Sequence, residues 1–101
     1  MSYNSRAVPD FGFLTNHAKT LLLIAADPRV RIREIAATLG ITERATQRIV
    51  GELVAAGYLD REREGRRNVY TVRHDAPIGL PTQRDLDIGS LLAVLLAEKR
   101  T

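Results

Sequence analysis

Three side chains able to contact nucleic acid fall in one predicted helix, at Arg44, Gln47 and Arg48. Their spacing of three and four residues places them on one side of that helix. Arginine can form paired hydrogen bonds with guanine and glutamine with adenine, while either side chain can hold a phosphate. The pattern therefore predicts contact with the major groove of DNA. A solvated helix face that carries two incidental arginines is the alternative interpretation.

A second group of candidate residues lies farther along the chain, in the segment Gly65-Arg66-Arg67-Asn68. No acidic residue lies within it, so an exposed turn of this composition can reach phosphate or enter a narrowed minor groove. Just before it, Arg61 and Arg63 alternate with acidic residues, and these side chains could simply form cross-strand ion pairs. Residues 42–67 contain six arginines and five acidic residues. A DNA-binding surface here therefore requires that the charges be sorted by face.

Hydrophobic spacing and capping signals predict the elements that position these side chains. Apolar residues at helical spacing predict helices over residues 14–25 and 32–39, and a glycine closes the second. Thr42 is a good N-cap for a third helix over about residues 42–56, which another glycine terminates. A short helix, a tight turn and a longer helix with a basic free face are typical of a helix-turn-helix motif.

The segment after the third helix is predicted to form a β-hairpin. Its strands cover residues 58–63 and 69–73, and turn chemistry over about residues 64–68 connects them as a wing. Two prolines and a glycine then predict an extended linker over residues 75–81. The resulting order, α-α-α-β-β-α, is that of a mainly α fold with a small β-hairpin, a winged helix-turn-helix.

The last predicted helix carries a broad apolar stripe. Thr82-Gln83-Arg84-Asp85 has the spacing of a capping box that opens this helix, which runs to about Arg100. Its stripe is too large for a terminal helix left in water. The first helix is apolar nearly all round in its C-terminal half, so it also needs a second partner. We therefore predict a homodimer whose interface contains Leu23, Ile24, Ile88, Leu91, Leu92, Leu95 and Leu96.

The composition favours a single globular domain in a cytoplasmic protein. The chain has 101 residues, of which 45% are hydrophobic and 27% are charged. Cysteine is absent, which excludes disulfides, thiolate catalysis and most zinc sites. The net charge of +3 permits nucleic-acid binding without requiring it. We find no secretory signal and no apolar run approaching the ~20 residues of a membrane helix.

No arrangement of residues predicts catalysis or metal binding. His17 and His74 lie far apart without a nearby carboxylate cluster, and Asp85 and Asp87 suit the positive end of a helix dipole. Glycine-rich phosphate loops are also absent. We expect a protein that is not an enzyme and that uses no metal and no cofactor. The predicted organisation is a flexible arm, a DNA-binding domain, a linker and a dimerisation helix, over residues 1–13, 14–74, 75–81 and 82–101.

The run from about Asn16 to Val72 resembles small winged-helix transcriptional regulators of the MarR and ArsR kind. The residues that carry the resemblance are Ile35-Ala36, Leu39-Gly40-Ile41-Thr42, Ala45-Thr46, Arg48, Leu53, Ala56-Gly57-Tyr58-Leu59 and Gly65-Arg66-Arg67. The resemblance implies a dimer on a palindromic operator, with recognition residues at Arg44, Gln47 and Arg48. The chain lacks the Cys or His clusters of the metal-sensing branch. It is also short of the extra helices with which larger members enclose a ligand.

These observations together predict a prokaryotic transcriptional regulator that binds double-stranded DNA. The predicted DNA-binding residues are Thr42, Arg44, Gln47, Arg48, Arg66, Arg67 and Asn68. Two alternatives stay open. One is a protein-interaction module whose basic face pairs with an acidic partner. The other is a sensor that binds a small effector between the first helix, the last helix and a partner subunit.

Overall fold

Four helices and one hairpin follow each other in the computed structural model, which describes residues 12–79 and 86–97. The helices are α1 (Asn16–Ala26), α2 (Ile32–Leu39), α3 (Glu43–Ala55) and α4 (Ile88–Leu95). The hairpin consists of β1 (Leu59–Glu64) and β2 (Arg67–Val72). This α-α-α-β-β-α order confirms the predicted winged helix-turn-helix fold.

Side-chain hydrogen bonds fix the starts of the first three helices. The Thr15 and Thr42 hydroxyls accept hydrogen bonds from the third residue of α1 and α3, at 3.1 and 3.0 Å. The N-cap residue of α2 is Arg31, at a position where Ser or Thr is usual. The Glu34 carboxylate accepts a hydrogen bond from the backbone N–H of Arg31 at 2.9 Å, which gives this N-terminal N–H group a partner.

The turn between α2 and α3 depends on Gly40. This residue adopts the left-handed conformation, with φ of 72°. The N–H of Ile41 then reaches back to the carbonyl of Ala36 at 3.0 Å, which closes the end of α2. The chain reverses within a few residues, so α2 and α3 pack against each other as a helix-turn-helix pair.

The core lies between the first three helices and the inner face of the hairpin. Ile24, Ile35 and Leu59 are at most 1% exposed, and each comes from a different element. The hairpin is also held to the α1–α2 loop, since the N–H of Tyr70 donates to the carbonyl of Pro28 at 3.2 Å. Backbone and core contacts therefore set the orientation of the wing relative to the helices.

The hairpin turn is tighter than the sequence predicts. β2 begins at Arg67 rather than at Val69, and Arg67 pairs directly with Glu64. Only Gly65 and Arg66 remain in the turn, and Gly65 has φ of 61°. Because glycine adopts this conformation at no steric cost, two residues suffice to reverse the chain.

α4 is shorter than the helix predicted from residue 82 to about residue 100. Asp87 is its N-cap, because the Asp87 carboxylate accepts from the N–H of Ser90 at 2.9 Å. Asp87 also forms an antiparallel bridge with Pro77, which keeps its backbone extended. At the other end, Ala97 already lies outside the helix. The predicted capping box over residues 82–85 lies outside the described residues.

Part of the segment predicted as a linker, residues 75–81, packs on the core. Ala76 is 7% exposed, and its carbonyl accepts the N–H of Ile88 at 2.7 Å. Ile78 likewise pairs with Leu86 through a backbone hydrogen bond of 3.3 Å. These contacts place the start of α4 against the end of β2, and they bring Ile88 and Leu92 into the core.

The cap of α4 makes stability depend on pH. The hydrogen bond from the Ser90 N–H lowers the pKa of the Asp87 carboxyl below its ordinary value of 3.8. A group of this kind contributes stability above its unfolded pKa, and the contribution is lost as the pH falls through the folded pKa. We expect Asp87→Ala to lower the urea midpoint at neutral pH. The difference from the wild type should shrink as the pH falls below 3.8. An undiminished difference in acid would contradict this account of the cap.

Candidate nucleic-acid interface

α3 exposes the three side chains that the sequence singles out. Arg44, Gln47 and Arg48 all lie on the solvent side of the helix. The other side of α3 is buried in the core through Thr46, Ile49, Val50 and Leu53. The described part of the chain therefore leaves this helix face unobstructed, as insertion into a DNA groove requires.

The first turn of α3 is anchored by two threonines. The Thr42 hydroxyl accepts the N–H of Ala45 at 3.0 Å, and the buried Thr46 hydroxyl donates to the carbonyl of Thr42 at 2.9 Å. The turn from which Arg44 projects is therefore fixed by both a cap and a buried hydrogen bond. Arg44 itself takes part in none of the ion pairs among the described residues.

The flank of α3 next to α1 carries a chain of charged groups. Arg48 pairs with Glu52 one turn farther on, at 3.2 Å. The second oxygen of Glu52 lies 2.7 Å from Nε2 of His17, on α1. The hydrogen bond with His17 is the main cause that lowers the pKa of the Glu52 carboxyl, and Arg48 adds to it. Arg48 is therefore exposed but already partnered.

The strand register sorts the charges of β1 by face. Leu59, Arg61 and Arg63 stand opposite Val72, Tyr70 and Asn68, so these side chains share one face of the hairpin. Since Leu59, Tyr70 and Val72 are buried in the core, this is the face turned toward the helices. The acidic residues occupy the other face: Asp60, Glu62 and Glu64. Positive and negative residues alternate along β1, so the charged residues on its inner face are arginines and those on its outer face are acidic.

A groove with basic walls runs between the hairpin and the helices α2 and α3. It consists of two adjoining concavities of about 290 and 200 Å³, which share Ile32, Asn68 and Tyr70. We call this feature the wing groove. Its charged and amide side chains are Arg31, Gln47, Arg61, Arg66, Arg67 and Asn68. Among the described residues, no acidic side chain lines either concavity. The groove thus extends the exposed face of α3 with hydrogen-bond donors.

The predicted wing residues differ in how free they are. Arg66, in the turn, and Asn68, the second residue of β2, are both exposed. Arg67 is half-buried, and its guanidinium donates to the backbone carbonyl of Arg29 in the α1–α2 loop. Arg29 in turn pairs with Glu64 at 2.6 Å. Arg67 therefore helps to fix the wing in place, whereas Arg66 is available to a ligand.

Reasoning from the sequence did not select Arg31 or Arg61. Arg61 follows the buried Leu59 by two residues, and this strand period was the available signal that it shares the inner face. Arg31 carries no comparable signal. It reaches the wing groove only because the fold brings the start of α2 beside the hairpin.

The residues predicted at a dimer interface separate into two groups. Ile24, Ile88 and Leu92 are buried in the core of the single chain. Leu23 and Leu91 are half-buried, while Leu95 and Leu96 are 41% and 42% exposed. Val94, beside them, is 72% exposed. The described part of α4 therefore leaves an apolar surface in contact with water.

An apolar cavity of about 340 Å³ lies beside this surface. It is bounded by side chains of α1, α3 and α4, among them Leu21, Leu53, Leu91 and Leu95. His17, Glu52 and Tyr58 also line it. Among the described residues, no three His, Cys, Asp or Glu side chains are grouped so that they could hold a metal ion. None of the described helices has the length and apolar character to cross a membrane.

Comparison with known proteins is consistent with this geometry. The model of the MarR family matches residues 11–67, which is more than half of the chain. This range contains the helix-turn-helix pair, β1 and the wing tip. No curated protein matches the sequence.

Proposed function

Because this chain belongs to the MarR family of winged-helix transcriptional regulators, we propose that it binds double-stranded DNA through the exposed face of α3 and the wing groove. The sorting of charges on the hairpin carries the proposal. Arg61 and Arg63 lie on the side of α3, and the acids of the same strand point away. A duplex that approaches α3 therefore meets donors without meeting the carboxylates of β1.

The dimensions of α3 suit the major groove. Its thirteen residues span about 20 Å, and the groove is about 12 Å wide, so the first two turns can enter. We assign base contacts to Arg44 and Gln47 and a phosphate contact to Arg48. Thr42 caps the helix and orients its first N–H groups toward a phosphate.

The wing groove would follow the DNA backbone beside the major groove. Arg31 and Arg61 would hold phosphates, while Arg66 and Asn68 would contact the backbone or the minor groove at the wing tip. Arg67 would act chiefly by fixing the wing to the α1–α2 loop. The proposed DNA-binding residues therefore include Arg31 and Arg61 in addition to those predicted from the sequence.

We further propose that two copies associate through the C-terminal helix. The exposed Leu95 and Leu96, with the half-buried Leu23 and Leu91, would form the contact, supported from beneath by Ile24, Ile88 and Leu92. Residues 14–74 would then serve as the DNA-binding unit, in a cytoplasmic prokaryotic regulator. A two-fold dimer would place its two α3 helices at half-sites about one DNA turn apart.

Selection of bound duplexes from a random pool tests this function. We expect a palindromic consensus whose half-sites are separated by about one DNA turn, with affinity that falls steeply as salt rises. Recovery of no consensus, together with no salt-dependent retention of DNA, would contradict the proposal. Binding to an acidic protein in place of DNA would instead support the interaction-module alternative.

The cavity beside α4 favours one further candidate, a sensor that responds to a small effector. Its volume of about 340 Å³ falls in the range of ligand sites, about 300–1,000 Å³. An effector of mainly apolar character would fit its lining. A rise in the thermal midpoint with an apolar metabolite would support this function, and no shift across a broad panel would oppose it.

Neighbouring residues on the two faces of β1 offer a matched pair of variants. Arg61→Ala should weaken binding to every duplex and lower the slope of log K against log salt by about 1, since one phosphate contact is lost. Glu62 lies on the opposite face of β1, so Glu62→Gln should leave that slope unchanged. The measurement is a salt titration by fluorescence anisotropy. Equal slopes for the wild type and Arg61→Ala would exclude a phosphate contact at Arg61.

A further inference from the structure

One carboxylate links the exposed face of α3 to α1. The Glu52 carboxylate accepts from Arg48 at 3.2 Å through one oxygen and contacts His17 at 2.7 Å through the other. We call this arrangement the Glu52 bridge. Its side chains are 62%, 50% and 42% exposed for Arg48, Glu52 and His17, so all three remain within reach of water and of a bound duplex.

The bridge acts on a residue to which we assign a phosphate contact. A guanidinium paired with a carboxylate must give up that partner, or share it, when it turns to a phosphate. The carboxylate also repels the phosphate directly. The pair itself is weak, because an exposed i,i+4 ion pair with its basic residue on the N-terminal side is the less favourable orientation. DNA can therefore displace it at a small cost in affinity.

We propose that Glu52 is a positioning residue that restrains Arg48 in the free protein and lowers the affinity for DNA. The inference rests on the proposed DNA-binding function. Glu52 holds the Arg48 side chain along α3, and it is the acidic residue on the α1 side of the DNA-facing helix surface. Removing its charge should strengthen binding, the opposite of what the loss of a structural tie would do.

Charge-matched variants separate this role from a general charge effect. Glu52→Gln and Glu62→Gln each remove one negative charge, but Glu62 lies on the hairpin face turned away from α3. Thermal midpoints of all variants would show that the fold is retained. Affinity is measured by fluorescence anisotropy on a selected duplex.

Glu52→Gln should bind about 1.4- to fivefold more tightly than the wild type, whereas Glu62→Gln should stay near it. The gain should fall by at least half when Arg48 is alanine, because the restrained group is then absent.

Two outcomes would overturn the inference, and they are distinguishable from failure of the proposed function. If the wild type binds DNA but Glu52→Gln binds no more tightly than Glu62→Gln, Glu52 does not restrain Arg48. If the gain is the same with and without Arg48, the effect is general repulsion. A folded wild type that binds no duplex at any salt concentration would instead overturn the proposed function, and this inference with it.

Discussion

Replacing Arg44 with alanine should weaken binding about 5- to 150-fold for each half-site and relax the preference for one base pair there. Arg44 projects from the capped first turn of α3 and lies outside the ion pairs among the described residues. No ion pair within the described part of the chain therefore has to be broken before this side chain contacts a base. A bidentate contact is worth about 1–3 kcal/mol of discrimination, which gives the stated range.

Arg44→Lys is the matched control for this prediction. Lysine keeps the charge but lacks the planar fork that grips a guanine edge. We expect Arg44→Lys to retain the salt dependence of the wild type while losing most of its base preference. The measurement compares affinity for the selected operator and for the same operator with single base changes. If Arg44→Lys keeps full discrimination, Arg44 holds a phosphate and does not read a base.

Leu95→Lys should convert the protein from a dimer to a monomer and reduce operator affinity about 100-fold or more. Leu95 is 41% exposed and lies on the same apolar stripe of α4 as Ile88 and Leu92, which are buried in the core. A charge at Leu95 would have to be buried in the proposed interface, whereas in the single chain it can extend into water. Linked recognition of two half-sites commonly adds a factor of about 10²–10⁴ to affinity, and a monomer loses it.

Ala93→Lys provides the control, because it adds the same charge to the same helix. Ala93 is exposed and lies two residues from Leu95, nearly on the opposite side of α4. Light scattering should report a dimer for the wild type and for Ala93→Lys and a monomer for Leu95→Lys, with similar thermal midpoints. A monomeric wild type, or a dimeric Leu95→Lys, would show that α4 is not the interface.

Local signals in the sequence were sufficient for the helix-turn-helix. Gly40 and Thr42 mark the end of one helix and the start of the next through conformation and capping, which depend on a few neighbouring residues. The predicted face of α3 is correct for the same reason. Helical periodicity alone separates the buried Ile49 and Leu53 from the exposed Arg44.

The features that the sequence did not predict depend on contacts between residues that are distant in sequence. The start of α4 is set by a bridge between Asp87 and Pro77, which a capping pattern cannot reveal. Arg67 fixes the wing in place because its guanidinium donates to the backbone carbonyl of Arg29, thirty-eight residues away in sequence. Likewise, the alternating charges of β1 can be assigned to the inner or the outer face only when the strand register shows which face is buried. Sequence reasoning could state that the charges must be sorted by face, but it could not show the sorting.

We propose that the exposed face of α3 and the inner face of the hairpin form one DNA-binding surface. The NMR signals of the arginine Nε–Hε groups report on it directly, because arginines lie on both sides of the hairpin. On addition of an operator duplex, we predict large changes for Arg31, Arg44, Arg61 and Arg66. Arg73 should be nearly unchanged, since its Nε already donates to Asp60 at 2.9 Å on the acidic face. Changes at Arg73, with Arg44 and Arg61 unaffected, would contradict the account.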